Sequence, residues 1–118
     1  MVAYLRFSNY NLTMKDYLKA NLAAYENTAQ EFQTKKSVRL KSETQIADMF
    51  TAMLPRGASI LELGTGSGQL SKLLCDRGLA VDAIEYAPTM AKLASVTAPN
   101  AHIIVDEFLE HSFNGKKY

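Results

Sequence analysis

The residues with the most chemical content are Glu62-Leu-Gly64-Thr65-Gly66-Ser-Gly68, set between an apolar run, Ser59 to Leu63, and a helical pattern that begins at Gln69. Glycines at such a junction let the backbone turn tightly and approach a ligand with no Cβ in the way. Free amides at the start of the following helix add partial positive charge to the same place. A dinucleotide loop spaces its glycines G-x-G-x-x-G, which would need glycine at position 69. That position is Gln, and the third glycine falls one residue early, at 68. The shift argues against a pyrophosphate ligand. A glycine-rich turn with no ligand is the plainer alternative.

Two further acidic residues follow at a fixed stride. Glu85 lies 21 residues beyond Gly64, Asp106 lies 21 beyond Glu85, and each ends an apolar run. A carboxylate at a strand end in a parallel sheet faces the crevice where such sheets bind ligands, and it can accept hydrogen bonds from both hydroxyls of a ribose. Glu85 fits that place and would repel a 2′-phosphate; an exposed glutamate is the competing reading. Asp106 could accept from an exocyclic amine such as that of adenine, or simply cap a helical turn starting at Glu107. His102 and His111 are nine residues apart with no cysteine or carboxylate cluster at ligand spacing, so both read as surface residues and no metal site is expected.

The elements that must position these groups follow from periodicity. Leu79 to Glu85 and Ala101 to Val105 read as strands after the one at Ser59 to Leu63. Gln69 to Arg77 carries Leu70, Leu73 and Leu74 at helical spacing, with Gly78 suited to the left-handed position past its end. Pro88 sits where a first helical turn tolerates proline, Met90, Leu93 and Ala94 continue that helix, and Pro99 breaks it. Strands alternating with helices imply parallel pairing and right-handed crossovers: an α/β, doubly wound, Rossmann-like sheet of about three strands. Upstream, Leu18, Leu22, Tyr25, Ala29 and Phe32 mark a helix over Lys15 to Gln33, with Tyr25 and Phe32 expected in the core. The polar stretch Thr34 to Lys41 reads as a linker, so the expected division is an N-terminal helical segment, 1–41, and a sheet-bearing subdomain, 42–118. Ser42 three residues before Gln45 forms a capping-box pattern, and Ile46, Met49, Phe50, Met53 and Leu54 form an apolar stripe on the helix behind it, ended by Pro55 and Gly57.

Bulk properties exclude several classes. At 118 residues there is room for one small domain. Thirteen basic against twelve acidic residues leave a charge of +1, which gives no electrostatic reason to expect nucleic acid or an anionic membrane. The one basic cluster, Lys35, Lys36, Arg39 and Lys41, reads as solvated. A single cysteine, Cys75, fits a reducing compartment and follows two leucines as a small buried residue. With no signal-like segment and no apolar run near ~18 residues, a cytoplasmic protein is expected.

Taken together, these residues resemble the class I methyltransferases that use S-adenosylmethionine. Glu62 to Gly68 matches that family's first motif, E/D-x-G-x-G-x-G. Glu85-Tyr86-Ala-Pro-Thr-Met90 is similar to its second, and Val105-Asp106-Glu107-Phe108 to its third. The resemblance covers about residues 42 to 118. It implies that Gly64, Gly66 and Gly68, with Thr65 between them, cradle the methionine portion while Glu62 steers its amino group. It further implies that Glu85 holds the ribose, that Tyr86 and Met90 pack on the adenine, and that Asp106, followed by Glu107, takes its amine. The sulfonium is already a good leaving group, so alignment supplies much of the rate and no side-chain triad is needed.

A complete relative continues well past the third strand, and Ser112 to Tyr118 looks like a turn entering a fourth that does not arrive. The expected function is therefore the cofactor-binding part of a methyltransferase, or a truncated, inactive remnant that serves as an interaction module. In this family the first strand lies between the second and the fourth. Ile60, Leu61 and Leu63 are thus expected on an exposed edge that invites a homodimer through paired first strands, unless the N-terminal helix covers it.

Overall fold

A computed structural model describes residues 14–34 and 36–118. The side chains of Tyr25, Phe32, Lys36 and Arg39, and the whole of Lys35, lie outside what is described. The elements run α1 (Met14–Thr34), α2 (Lys36–Met53), β1 (Ser59–Leu63), α3 (Gln69–Asp76), β2 (Ala80–Glu85), α4 (Pro88–Thr97) and β3 (His102–Val105). The sheet order is β1-β2-β3 and both pairings are parallel. Leu63 lies opposite Ile84, and Glu85 opposite Val105, so the three strands end together. The glycine loop and both predicted carboxylates therefore emerge at one end of the sheet, as the fold rule for such crossovers requires.

Ile60, Val81 and Ala83 project to one side of the sheet and form the main core with Leu74, Leu79 and Ala47. A second, smaller cluster joins Ala87 and Met90 to Leu22 of α1 and Leu93 of α4. Gly78 adopts φ 85 just past the C-cap residue Arg77, as the sequence predicts, and closes α3 toward β2.

Three expectations about the N-terminal half are corrected. Thr34 ends α1 and α2 begins at Lys36, so the linker expected over Thr34 to Lys41 is helical at every described position and the boundary at 41/42 falls inside an element. No glycine or proline occurs before Pro55, and charged residues without a breaker do not end a helix. Ser42 and Gln45 are accordingly in mid-helix rather than at a cap. The apolar stripe of α2 faces outward: Met49 is 60% exposed and Met53 75%, with Ile46 and Phe50 also exposed. The face turned to the protein carries fully buried Ala47 and half-buried Leu54, and Asp48 bonds the guanidinium of Arg77 on α3 at 2.7 and 3.0 Å.

Among the described residues β1 pairs only with β2, so it is an edge as expected. Of its three apolar residues, Ile60 is buried in the core and Leu63 is half exposed. Helix α1 packs on α4 and α2. The tail forms no strand; it turns back so that Lys116 Nζ (2.6 Å) and Tyr118 OH (2.7 Å) both donate to Asp82 of β2. No helix among the described residues is long and apolar enough to cross a membrane.

Candidate cofactor site

Gly64, Gly66 and Gly68 all occupy the left-handed region, with φ of 74, 59 and 81. This is where a side chain is costly, and it gives the loop its sharp return from β1 to α3. The amides of Gly64 and Thr65 donate to Ile84 O at 2.8 and 3.3 Å, stitching the loop to β2. A Cβ on Gly64 would meet nothing within 4 Å, so open space lies in front of that residue.

Gly68 is different. A Cβ there would stand 2.7 Å from Ala94 Cα and 2.9 Å from Ala94 Cβ, and the Gly68 amide is already used on Thr65 O at 3.1 Å. The third glycine lets the start of α3 press against α4.

Glu85 is buried and ties the site together. One carboxylate oxygen accepts from the Gly66 amide at 2.8 Å and the other from the Ala87 amide at 2.9 Å. A carboxylate offers about four acceptor positions. Two are left unused by these amides.

Glu62 belongs to a buried polar chain that the sequence reading missed. Fully buried Ser71, on the first turn of α3, donates to Glu62 Oε2 and lies 3.0 Å from Thr65 Oγ1. Burial pushes the Glu62 carboxyl above its ordinary value, against the hydrogen bonds from Ser71 and Thr65, and the charges of Glu43 and Glu85 push it the same way as burial.

The remaining predicted residues divide. Tyr86 sits partly exposed beside Glu85, whereas Met90 is fully buried in the cluster under the loop, its Cε 3.7 Å from where a Gly66 Cβ would be. Asp106 accepts from the Glu107 amide at 2.8 Å and pairs with His111 Nδ1 at 2.8 Å, which holds its carboxyl below the ordinary range. Glu107 accepts from the amides of Leu109 and Glu110, closing a turn. Asp106 and Glu107 are thus engaged in shaping the loop after β3. His111, expected on the surface, is half-buried between Asp106 and the edge of Phe113, 4.9 Å between ring centroids; His102 is exposed as expected. One more contact was invisible in the sequence: Glu26 of α1 accepts from the Thr89 amide at 3.0 Å and from the Thr89 hydroxyl. It caps α4, whose own N-cap residue, Ala87, has no capping side chain.

Comparison with known proteins agrees with this geometry. Probable ribosomal RNA small subunit methyltransferase A of Pyrobaculum islandicum is 36% identical over 69 residues, 58% of this chain and 29% of its own length. The protein of the same description from Pyrobaculum aerophilum is 33% identical over 69 residues, 58% of this chain and 30% of its own. Among solved structures, a TehB-like SAM-dependent methyltransferase from Corynebacterium glutamicum matches with a TM-score of 0.63 and 28% identity, over 77% of this chain and 49% of that one. The DhpI–SAH complex matches with a TM-score of 0.68 over 85% of this chain and 50% of that one; at 19% identity it speaks for the fold alone. No protein-family model matches the chain. The chain spans under a third of the curated relatives it matches. In sequence and in fold it is similar to the Rossmann-like S-adenosylmethionine-dependent methyltransferases, over the cofactor-binding part of that fold.

Proposed function

We propose that the cleft at the carboxyl ends of β1 and β2 binds S-adenosylmethionine and that this chain supplies the cofactor-binding part of a methyltransferase. The observation that carries the reading is Glu85: a buried carboxylate that clasps the glycine loop and the entry to α4 and keeps two acceptor positions. The open space before Gly64 fits a ligand that must approach backbone, and the acidic pair Glu62 and Glu85 suits a ligand bearing an ammonium and a ribose diol. Tyr86 would flank the adenine, and Asp106, which like Glu85 keeps acceptor positions beyond its two protein bonds, would take its amine. When bound, S-adenosylmethionine supplies a methyl carbon on a cationic sulfur; an acceptor's lone pair takes the methyl and S-adenosylhomocysteine remains. Calorimetry with S-adenosylhomocysteine tests the reading, with Gly66→Val as control. The variant should lose binding because a branched side chain at a left-handed φ cannot hold the tight turn of the loop, while its circular dichroism stays that of the parent. Undiminished binding by the variant would count against the cleft.

For the acceptor of the whole enzyme we infer ribosomal RNA, on the strength of the two curated relatives. The near-neutral charge of this chain then means that the RNA is held by other surfaces. Loss of a methyl mark from ribosomal RNA in cells lacking the gene would support this, and an unchanged modification pattern would exclude it. Pairing with a second copy along the β1 edge completes the reading. Light scattering should then report twice 13.1 kDa, and a monomer at high concentration would refute it.

A further inference from the structure

We infer that Ser71, with Thr65, is a positioning residue for the amino-acid end of the cofactor, acting through Glu62. This rests on the cofactor reading above and adds to it a residue outside the glycine motif. Ser71 has one hydroxyl proton, and the geometry gives it to Glu62 Oε2. The one Thr65 proton then serves either Ser71 Oγ, 3.0 Å away, or the Glu62 carboxylate itself. By either route both hydroxyl protons serve the carboxylate while it is ionised.

Both hydroxyl residues are buried, and Ser71 is completely so. A buried hydroxyl must find a partner, and here each finds it in one direction only while Glu62 is ionised. Protonation of Glu62 would allow the chain to reverse and would turn Thr65 into a donor toward the loop. The relay therefore links the charge of Glu62 to the hydrogen-bond character of the loop, and an ammonium is recognised only in the ionised arrangement. Groups that bear on the carboxylate come from each neighbouring element: Glu43 of α2 and Glu85 of β2 oppose ionisation, the Ser71 and Thr65 hydroxyls favour it, and the Cys75 thiol of α3 lies within reach of its charge.

The test compares two ligands on the full 118-residue chain. S-adenosylhomocysteine carries the amino-acid end; 5′-methylthioadenosine has the same nucleoside without it. Ser71→Cys keeps the volume and removes the strong donor. It should weaken S-adenosylhomocysteine by about tenfold or more, the scale of a charge-assisted hydrogen bond, and leave methylthioadenosine unchanged. The affinity of the variant for S-adenosylhomocysteine should also fall away at a higher pH than that of the parent, because Glu62 loses a bond that favours its charged form. Glu62→Gln should abolish that pH dependence. Equal weakening of both ligands would reduce Ser71 to a structural role, and an unshifted pH profile would overturn the relay. Failure of the parent chain to bind either ligand would instead remove the cofactor reading itself.

Discussion

At the scale of the residue, the candidate site is built from carboxylates and glycines that also hold the fold together. Glu85 is a structural clasp as well as a candidate ribose acceptor. Glu85→Ala should therefore cost about 1 to 3 kcal/mol in S-adenosylhomocysteine binding and also lower the melting temperature, because two buried amides lose their acceptor. A variant with weakened binding and an unchanged melting temperature would contradict the clasp. Gly68→Ala should destabilise the fold by about 1 to 3 kcal/mol, since its Cβ would meet the backbone of α4 at a left-handed φ; denaturant titration reads this directly. Glu62 makes the opposite kind of prediction. Its folded carboxyl titrates above its unfolded value, so the stability it contributes is full below the unfolded value and is lost as pH rises through the folded one. Glu62→Gln should accordingly be more stable than the parent at neutral pH, with the advantage vanishing in acid. Part of this was legible: the glycines and both carboxylates stand where strand-to-loop reasoning puts them. Ser71 was not, because nothing in a helix sequence marks a serine that turns inward to a carboxylate nine residues earlier.

Among the elements, periodicity located β1, β2, β3, α3 and α4 to within a residue or so, since buried parallel strands and the short helices between them have little freedom. It failed on α2, and the reason is physical. An apolar stripe shows that a helix has two faces, not which of them the protein uses. Here the inner face is the one with Ala47, whose small side chain lets α2 lie close on the core, while Met49 and Met53 look outward. Replacing both methionines by Gln should shift stability by less than about 0.5 kcal/mol, the scale of surface changes, whereas Ala47→Leu should destabilise by about 1 to 3 kcal/mol through overpacking. The reverse ranking in chemical denaturation would show that the stripe is core. Long-range caps were equally hidden. Glu26 and Thr89 are 63 residues apart, and no local pattern joins them. Glu26→Ala should remove about 1 kcal/mol, the usual worth of a cap, and loosen α1 from α4.

For the whole molecule, the sheet has two differently finished sides. Helices α2 and α3 seal one; on the other, the tail is held at Asp82, where Lys116, Tyr118 and His102 converge. Burial alone would raise the Asp82 carboxyl, but these three hydrogen bonds together outweigh it and hold it below the ordinary range. The clasp is thus complete above the unfolded carboxylate value and is released as pH falls through the lowered one. None of this was visible in the sequence, where the tail read only as a turn toward a strand and Asp82 as one polar residue within an apolar run. What the sequence did carry was the pattern behind the proposed ligand class, one glycine placed a residue early and one acid at a strand end. The most direct measurement of that central claim is a paired calorimetric titration of the purified chain with S-adenosylhomocysteine and with NAD. The account predicts binding of the first, abolished by Gly66→Val, and none or much weaker binding of the second. Tighter binding of NAD would contradict it.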